Sequence, residues 1–278
     1  MTDAVVIAER VSKRFILREY DSLFARLAGF MRGEEMPQRM WALRDVSFTL
    51  KRGEVLGIVG RNGSGKTTLL QVLAGIHVPD GGCAQVRGKL VPLINVGAGL
   101  QPKLTMRDNI ALAGSIFGLS HGEIREKFDA IVDFSELRAF LDVPVRKFSG
   151  GMTARLAFSV AAHLEPEVLF LDEVLQAGDA TFREKSRRKM EELIAGNTTV
   201  ILVSHQEDVL RRLCSRVIWL HEGRVLMDGN PQAVTDAYAR NCRAQIAAWN
   251  AARFWRQKRR CVWIMRQRMR RVFHGQIH

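Results

Sequence analysis

Residues Gly60 to Thr67 read Gly-Arg-Asn-Gly-Ser-Gly-Lys-Thr and satisfy the phosphate-binding pattern G-x-x-x-x-G-K-[ST]. No other stretch restricts the fold so tightly, because the pattern works only between a buried strand and a helix. Both flanks comply. Val55–Val59 is a short apolar run suited to a buried strand, and Thr67–Leu73 starts a helical pattern. Gly60, Gly63 and Gly65 let the backbone turn tightly and present N–H groups to phosphate oxygens. The helix that follows adds the positive end of its dipole. Lys66 is spaced to reach the β- and γ-phosphates and the Thr67 hydroxyl to hold Mg²⁺, while Arg61, Asn62, Ser64 and Thr68 complete the nucleotide-binding stretch. The bland alternative is a glycine-rich turn carrying a chance lysine. It requires the eight-residue pattern, with its four fixed positions, to arise by accident between a strand and a helix. A nucleotide-phosphate site is expected.

At 278 residues the chain can hold one large α/β domain with insertions, or one domain plus an appendage. No apolar run approaches the roughly 18–20 residues that cross a bilayer. Met1-Thr2-Asp3-Ala4 lacks the basic-then-apolar order of a secretory signal. Cys83, Cys214, Cys242 and Cys261 have neither metal-ligand spacing nor disulfide density, so reduced thiols in a cytosolic protein are expected. The formal charge of +13 is concentrated at one end. Residues 243–278 hold ten Lys/Arg and no Asp/Glu, which leaves 32 basic against 29 acidic residues, or +3, for residues 1–242. The basicity therefore says little about partners of the folded domain.

Taken in order, Ala4–Ala8 and Val11–Phe15 read as an opening strand. The segment from Ile16 to Met40 is charged and aromatic, with Leu23, Phe24, Leu27 and Phe30 at helical spacing, and reads as an inserted amphipathic segment. Trp41–Leu50 resumes the strand pattern. Trp41 or Phe15 offers an aromatic face for an adenine ring, a buried structural role being the competing reading, and Trp41 is taken as the nucleotide-binding residue. Val78-Pro79-Asp80-Gly81-Gly82 is a turn, followed by short strands near Cys83–Val86 and Leu90–Ile94. Residues 106–163 are helical in pattern and suggest a small subdomain inserted into the sheet. Within them, Ser149-Gly150-Gly151-Met152 is a polar turn opening a helix, with Ser149 suited to cap it.

Val168–Leu171 is an apolar strand ending in Asp172-Glu173, and carboxylates there are costly unless a cation or a water uses them. Asp172 is expected to hold Mg²⁺ together with Thr67, and Glu173 to polarise an attacking water. Thr199–Val203 is another buried strand, ending in Ser204-His205, and His205 is expected to contact the γ-phosphate. Arg216–Leu220 and Gly223–Met227 read as a closing hairpin. In the tail, Trp255, Val262, Met265, Met269 and Val272 fall at near-helical spacing between arginines. Such a basic amphipathic helix suits an anionic membrane or a membrane partner, a solvated helix or an RNA-contacting arm being the alternatives.

The series of phosphate loop, helical insertion, Ser149-Gly150-Gly151, Val168–Glu173, Asp179 and His205 resembles the nucleotide-binding subunit of ATP-binding-cassette (ABC) transporters, over roughly residues 4–240. The resemblance implies an α/β phosphate-loop NTPase of ABC type, with a mixed sheet core, an inserted helical subdomain and a basic C-terminal helical tail. It further implies that two copies bind two ATP molecules with Mg²⁺, each between the phosphate loop of one copy and the Ser149–Met152 signature turn of the other. Glu173 would be the general base, Asp172 the Mg²⁺ carboxylate, His205 the switch histidine, and Asp179 the residue of the loop crossing to the opposite copy.

A finer resemblance is to the polysaccharide-export branch, which serves O-antigen, capsule and teichoic-acid transporters. It rests on Trp41–Phe48, Gly60–Gly63, Val96–Gly99 before Leu104-Thr105, Gly151-Met152 with Arg155–Phe158, and Asp172–Leu175 with Gly178–Ala180. It implies a homodimer at the cytoplasmic face of the inner membrane, a separate transmembrane permease dimer, and a polysaccharide contacted mainly by that permease. No nucleic acid is expected. The chain departs from the wider family at Val96, where a glutamine is usual and Asn95 and Gln101 are the nearest amides, and at Met152. The roughly 36 residues after 242 are too few for the carbohydrate-binding sandwich of some branch members. A soluble ABC-type ATPase acting on nucleic acid or ribosomes is the competing reading, motivated by the tail.

Overall fold

The structure is a computed structural model describing residues 3–16, 39–94, 99–172 and 179–245. The stripe at Leu23, Phe24, Leu27 and Phe30, the string Asn95–Ala98, Glu173 and the tail beyond residue 245 lie outside the described residues. In chain order the elements are β1 (Ala4–Ile16), β2 (Arg39–Lys51), β3 (Val55–Val59), α1 (Lys66–Leu73), β4 (Gly81–Val86) and β5 (Leu90–Leu93). Then come α2 (Met106–Ile116), α3 (His121–Ser135), α4 (Gly150–His163), β6 (Val168–Asp172) and α5 (Ala180–Ala195). The series closes with β7 (Thr199–Val203), α6 (Glu207–Leu213), β8 (Arg216–His221) and β9 (Arg224–Gly229).

Two sheets share one core. A three-stranded antiparallel sheet has the order β2-β1-β4, and a six-stranded sheet the order β5-β6-β7-β3-β8-β9. In the second, β9 alone runs antiparallel to its neighbour, as the hairpin reading expected. Its central strands β3 and β7 are buried at every position, which is why they read as unbroken apolar runs rather than alternations. Leu69, Leu70 and Leu73 of α1 pack with Val6, Leu43 and Leu50 of the small sheet and Ile58 of the large one. The phosphate-loop helix is thus sandwiched between sheets. Cys83, Cys214 and Cys242 are free thiols, and burial pushes Cys214 up to about 12, leaving it a packing residue.

The helical insertion falls where the pattern placed it. Thr105 with Asp108 and Ser120 with Glu123 form reciprocal capping boxes that start α2 and α3. Asn109, fully buried, donates to the carbonyls of Gln101, Leu104 and Thr105 and fixes the entry to the insertion. Phe134, Phe158 and Phe182 bring rings from α3, α4 and α5 to within 5.8–6.4 Å of one another.

Residues up to Thr235 form one compact unit, and a second begins at Asp236, ahead of the boundary read at residue 242. In the first, residues 231–235 are helical, with Thr235 Oγ1 donating to the Pro231 carbonyl at 2.8 Å. In the second, residues 236–245 are helical, with Gln245 donating to Asn241. No helix among the described residues is long and apolar enough to cross a membrane.

Candidate nucleotide-binding site

The C-terminal ends of β3, β6 and β7 share one edge of the large sheet, with Ile58 paired to Val203 and Val203 to Asp172. Open parallel sheets bind ligands at that edge. The Gly60–Thr67 loop leaves β3 there, and its shape is set by close approaches. A Cβ on Gly60 would lie 2.3 Å from the Leu220 carbonyl oxygen, and one on Gly65 would lie 2.4 Å from that of Ala42. Gly65 also takes φ +104°, a left-handed conformation that L side chains rarely adopt, as it caps α1. Backbone bonds from Gly223 N to Ser64 O (3.0 Å) and from Arg44 N to Gly223 O (2.8 Å) brace the loop from behind.

Lys66 is only 7% exposed, and its ammonium donates to the carbonyls of Gly60 (2.8 Å) and Arg61 (3.1 Å). It arches over its own loop and holds the loop curved around the place where an anion would sit. Thr67 Oγ1 donates to Asp172 Oδ2 at 2.7 Å, although the two residues are 105 positions apart. Hydroxyl and carboxylate therefore converge beside the loop. Ser64 Oγ is buried with no hydrogen-bond partner among the described residues. A cleft of about 520 Å³ opens over the loop, walled by Asn62, Gly63, Lys66, Thr67, Thr68 and Asp172 on one side and by Phe15, Met40 and Ala42 on the other.

The aromatic wall differs from the expectation. Trp41 does not line the cleft; Phe15 does. Successive side chains of β2 point to opposite faces, so Met40 and Ala42 enter the cleft and Trp41 turns away, 40% exposed, beneath the Arg14 guanidinium at 5.4 Å. Both aromatics were visible in the sequence. Choosing between them needed the strand register, which pairs Phe15 with Met40 and Arg14 with Trp41.

His205, Ser149 and Asp179 do not line this cleft. His205 follows β7 at the same sheet edge and is exposed, but it is not among the residues lining the cleft. Ser149 caps α4 by accepting from Met152 N (3.2 Å), with Ser149 and Gly150 exposed. Asp179 caps α5 by accepting from Phe182 N (2.9 Å), and that bond, with the neighbouring Arg155 guanidinium, holds its carboxyl below the usual range. Arg155 joins the two: from α4 it reaches Asp179 at 2.5 Å and Glu136 at 3.3 Å, its side chain 16% exposed. Arg155 stands in the branch-like string Arg155–Phe158, but no local pattern pointed to this tie, because its partners lie 19 and 24 positions away.

A family model described as ABC transporter matches residues 43–176. The ABC transporter protein AbcA of Aeromonas salmonicida is 38% identical over 238 residues, which cover 86% of this chain and 77% of that one. The chain belongs to the ABC transporter family, as an ATP-binding subunit. Other relatives of this ABC subunit carry export systems in their names. The O-antigen export system ATP-binding protein RfbB of Myxococcus xanthus is 39% identical over 85% of this chain, and the teichoic acids export ATP-binding protein TagH of Lactococcus lactis is 38% identical over 83%. The chain spans 55% and 50% of the length of those two relatives. Among solved structures, the dimeric post-hydrolysis cassette MJ0796 bound to ADP and Pi superposes with a TM-score of 0.67 at 23% identity, over 81% of this chain and 98% of that one, a likeness of fold.

The residues of this ABC subunit fit a magnesium-bound nucleoside triphosphate. Ser64 Oγ, in the phosphate loop itself, is a buried polar atom with no hydrogen-bond partner among the described residues. Thr67 and Asp172 together offer the hard oxygen donors that Mg²⁺ prefers.

Proposed function

We propose that this chain is the ATPase subunit of an exporter moving a cell-surface polysaccharide, of the O-antigen, capsule or teichoic-acid kind, through a separate membrane permease. The observation that carries the ATP half is the convergence of Thr67 and Asp172 beside the curved loop held by Lys66. The export half is supported by the names of the relatives that match most of the chain. In this reading Lys66 and the loop N–H groups bind the β- and γ-phosphates, and Thr67 and Asp172 hold the metal. Asn62 and Thr68 shape the phosphate side of the cleft, and Phe15 stacks on the base. Mg²⁺, when bound, supplies neutralisation of charge on the phosphate oxygens. Glu173, the next residue after β6, takes a proton from the attacking water, and His205 contacts the γ-phosphate.

Ser149, Gly150, Gly151 and Met152 serve the nucleotide of a second copy, so that ATP closes a homodimer and hydrolysis reopens it at the cytoplasmic face of the membrane. Paired substitutions test the assignment in the complex with the permease. Lys66→Ala is expected to weaken ATP binding about 100-fold, since a largely buried charge-assisted contact is lost. Glu173→Gln is expected to bind ATP normally and stop phosphate release, trapping the ATP-bound dimer. Full phosphate release by Glu173→Gln, or undiminished binding by Lys66→Ala, overturns the reading.

A further inference from the structure

β1 loses its β4 neighbour at the pair Ser12–Gly81, yet it continues to Ile16 with β2 as its one strand neighbour among the described residues. The residues beyond β4 include Phe15, the aromatic wall of the cleft. What replaces β4 is a side chain. Asp80 Oδ2 accepts from Arg14 N at 2.9 Å, the bond an adjacent strand would otherwise supply. The same carboxylate faces Lys13 Nζ at 3.5 Å and Arg14 Nε at 3.6 Å, and Asp80 N donates to Ser12 O at 2.8 Å. Lys13 Nζ closes the clasp by donating to the Val78 carbonyl at 2.7 Å. His77, on the same turn, sets its ring edge-on to Phe15 at 5.5 Å.

The turn leads directly from the phosphate-loop helix, since Ile76 N and His77 N both bond back to Gln71 O at its C-terminal end. One short helix thereby serves both halves of the cleft. Its first turn carries Lys66 and Thr67, and the turn beyond its last residue grips the strand that carries Phe15.

We infer that Asp80 is a positioning residue for the base side of the cleft: it holds in place the strand end whose Phe15 ring lines the same cleft as the phosphate loop, where the base of a nucleoside triphosphate would lie. The inference rests on the nucleotide reading of the cleft, and its test separates the two. Binding of ATP and of inorganic tripolyphosphate is measured on the full chain, with steady-state turnover alongside. Asp80→Ala is expected to weaken ATP about fivefold, because base stacking depends on a fixed platform, while tripolyphosphate binding and turnover at saturating ATP stay within about twofold. Asp80→Asn keeps an oxygen acceptor for Arg14 N and is expected to lose less. Phe15→Ala should likewise weaken ATP more than tripolyphosphate, and the double variant should bind ATP no worse than Phe15→Ala, since both act through one ring.

A clasp that served only stability would lower the melting temperature without separating ATP from tripolyphosphate, and that result overturns the inference. Equal weakening of both ligands, or additive losses in the double variant, overturns it as well. If the unaltered chain binds tripolyphosphate but shows no added affinity for ATP, the base-side role of Phe15 fails, and Asp80 with it. If it binds neither, the nucleotide reading itself falls.

Discussion

Two glycine-rich turns open helices in this protein, and their surroundings are opposites. At the phosphate loop, Gly60 and Gly65 are pressed by the chain's own carbonyls, at 2.3 Å and 2.4 Å from where a Cβ would be. At the signature turn, among the described residues, a Cβ on Gly150 would meet nothing within 4 Å, and one on Gly151 only Ser149 Oγ at 3.9 Å. The first pair of glycines is demanded by folding of this chain. The second pair has no such explanation within one copy, although its helix is properly capped by Ser149. A small-residue turn that is exposed, ordered by a cap and uncrowded fits a surface that another body approaches closely. In the homodimer reading that body is the triphosphate held by the opposite copy.

The contrast is most directly broken with alanine. Gly65→Ala forces a side chain into φ +104° and onto the Ala42 carbonyl, and is expected to cost at least about 3 kcal/mol, about 10 °C in thermal midpoint. A midpoint within a degree or two of the original would mean that the loop can rebuild itself and that the crowding is inconsequential. Gly151→Ala is expected to leave the midpoint and single-copy nucleotide binding nearly unchanged while weakening ATP-driven self-association about tenfold, the scale of one lost close contact at an interface. Sedimentation with and without ATP reads this. Undiminished self-association, or a midpoint falling as far as for Gly65→Ala, would erase the distinction between the turns.

What was legible in the sequence was local, and what was hidden was a matter of register and distance. The phosphate loop, the hairpin of β8 and β9 and the capped helices of the insertion each carry their signal within a few residues, so they were readable one by one. The cleft's aromatic wall was not. β1 and β2 slip register at several points, among them between Lys13 and Arg14, and a slip of one residue exchanges the faces of every following side chain. Trp41 was thus the natural choice from the string it sits in, and Phe15 the one the pairing selects. Strand order was equally silent: nothing local says that β7 inserts between β3 and β6 and so brings Asp172 across to Thr67. The Arg155 tie between the signature helix and Asp179 is nonlocal in the same sense.

The comparison sharpens once more along α4, whose first turn is uncrowded among the described residues and whose last turn packs against α3. His163 there is half-buried, its Nδ1 2.7 Å from the Ser159 carbonyl oxygen and its ring 5.2 Å from that of Phe134. Burial pushes its pKa below the ordinary 6.5; the bond to the Ser159 carbonyl pulls the other way, and Lys189 and Lys127 oppose a positive ring further, against a weaker pull from Glu192. A histidine depressed in the folded state binds its proton more readily when unfolded. Its contribution to stability is therefore intact above about pH 6.5 and is lost as pH falls from there toward the folded value. The depressed carboxylates, Asp179 and, lowered to about 2, Glu184, act in a separate window, since their contribution fades only as pH falls through the ordinary carboxylate range. Melting the full chain between about pH 7 and about pH 5.5 should show a fall in midpoint that His163→Phe reduces, with ATP-dependent self-association at neutral pH unaltered. The effect is the smallest of the three, since one half-buried group supplies it. An identical fall in the variant would place the acid sensitivity elsewhere, whereas loss of self-association at neutral pH would mean that the two ends of α4 are not independent, and the contrast drawn between the packed and the open ends of that helix would have to be given up.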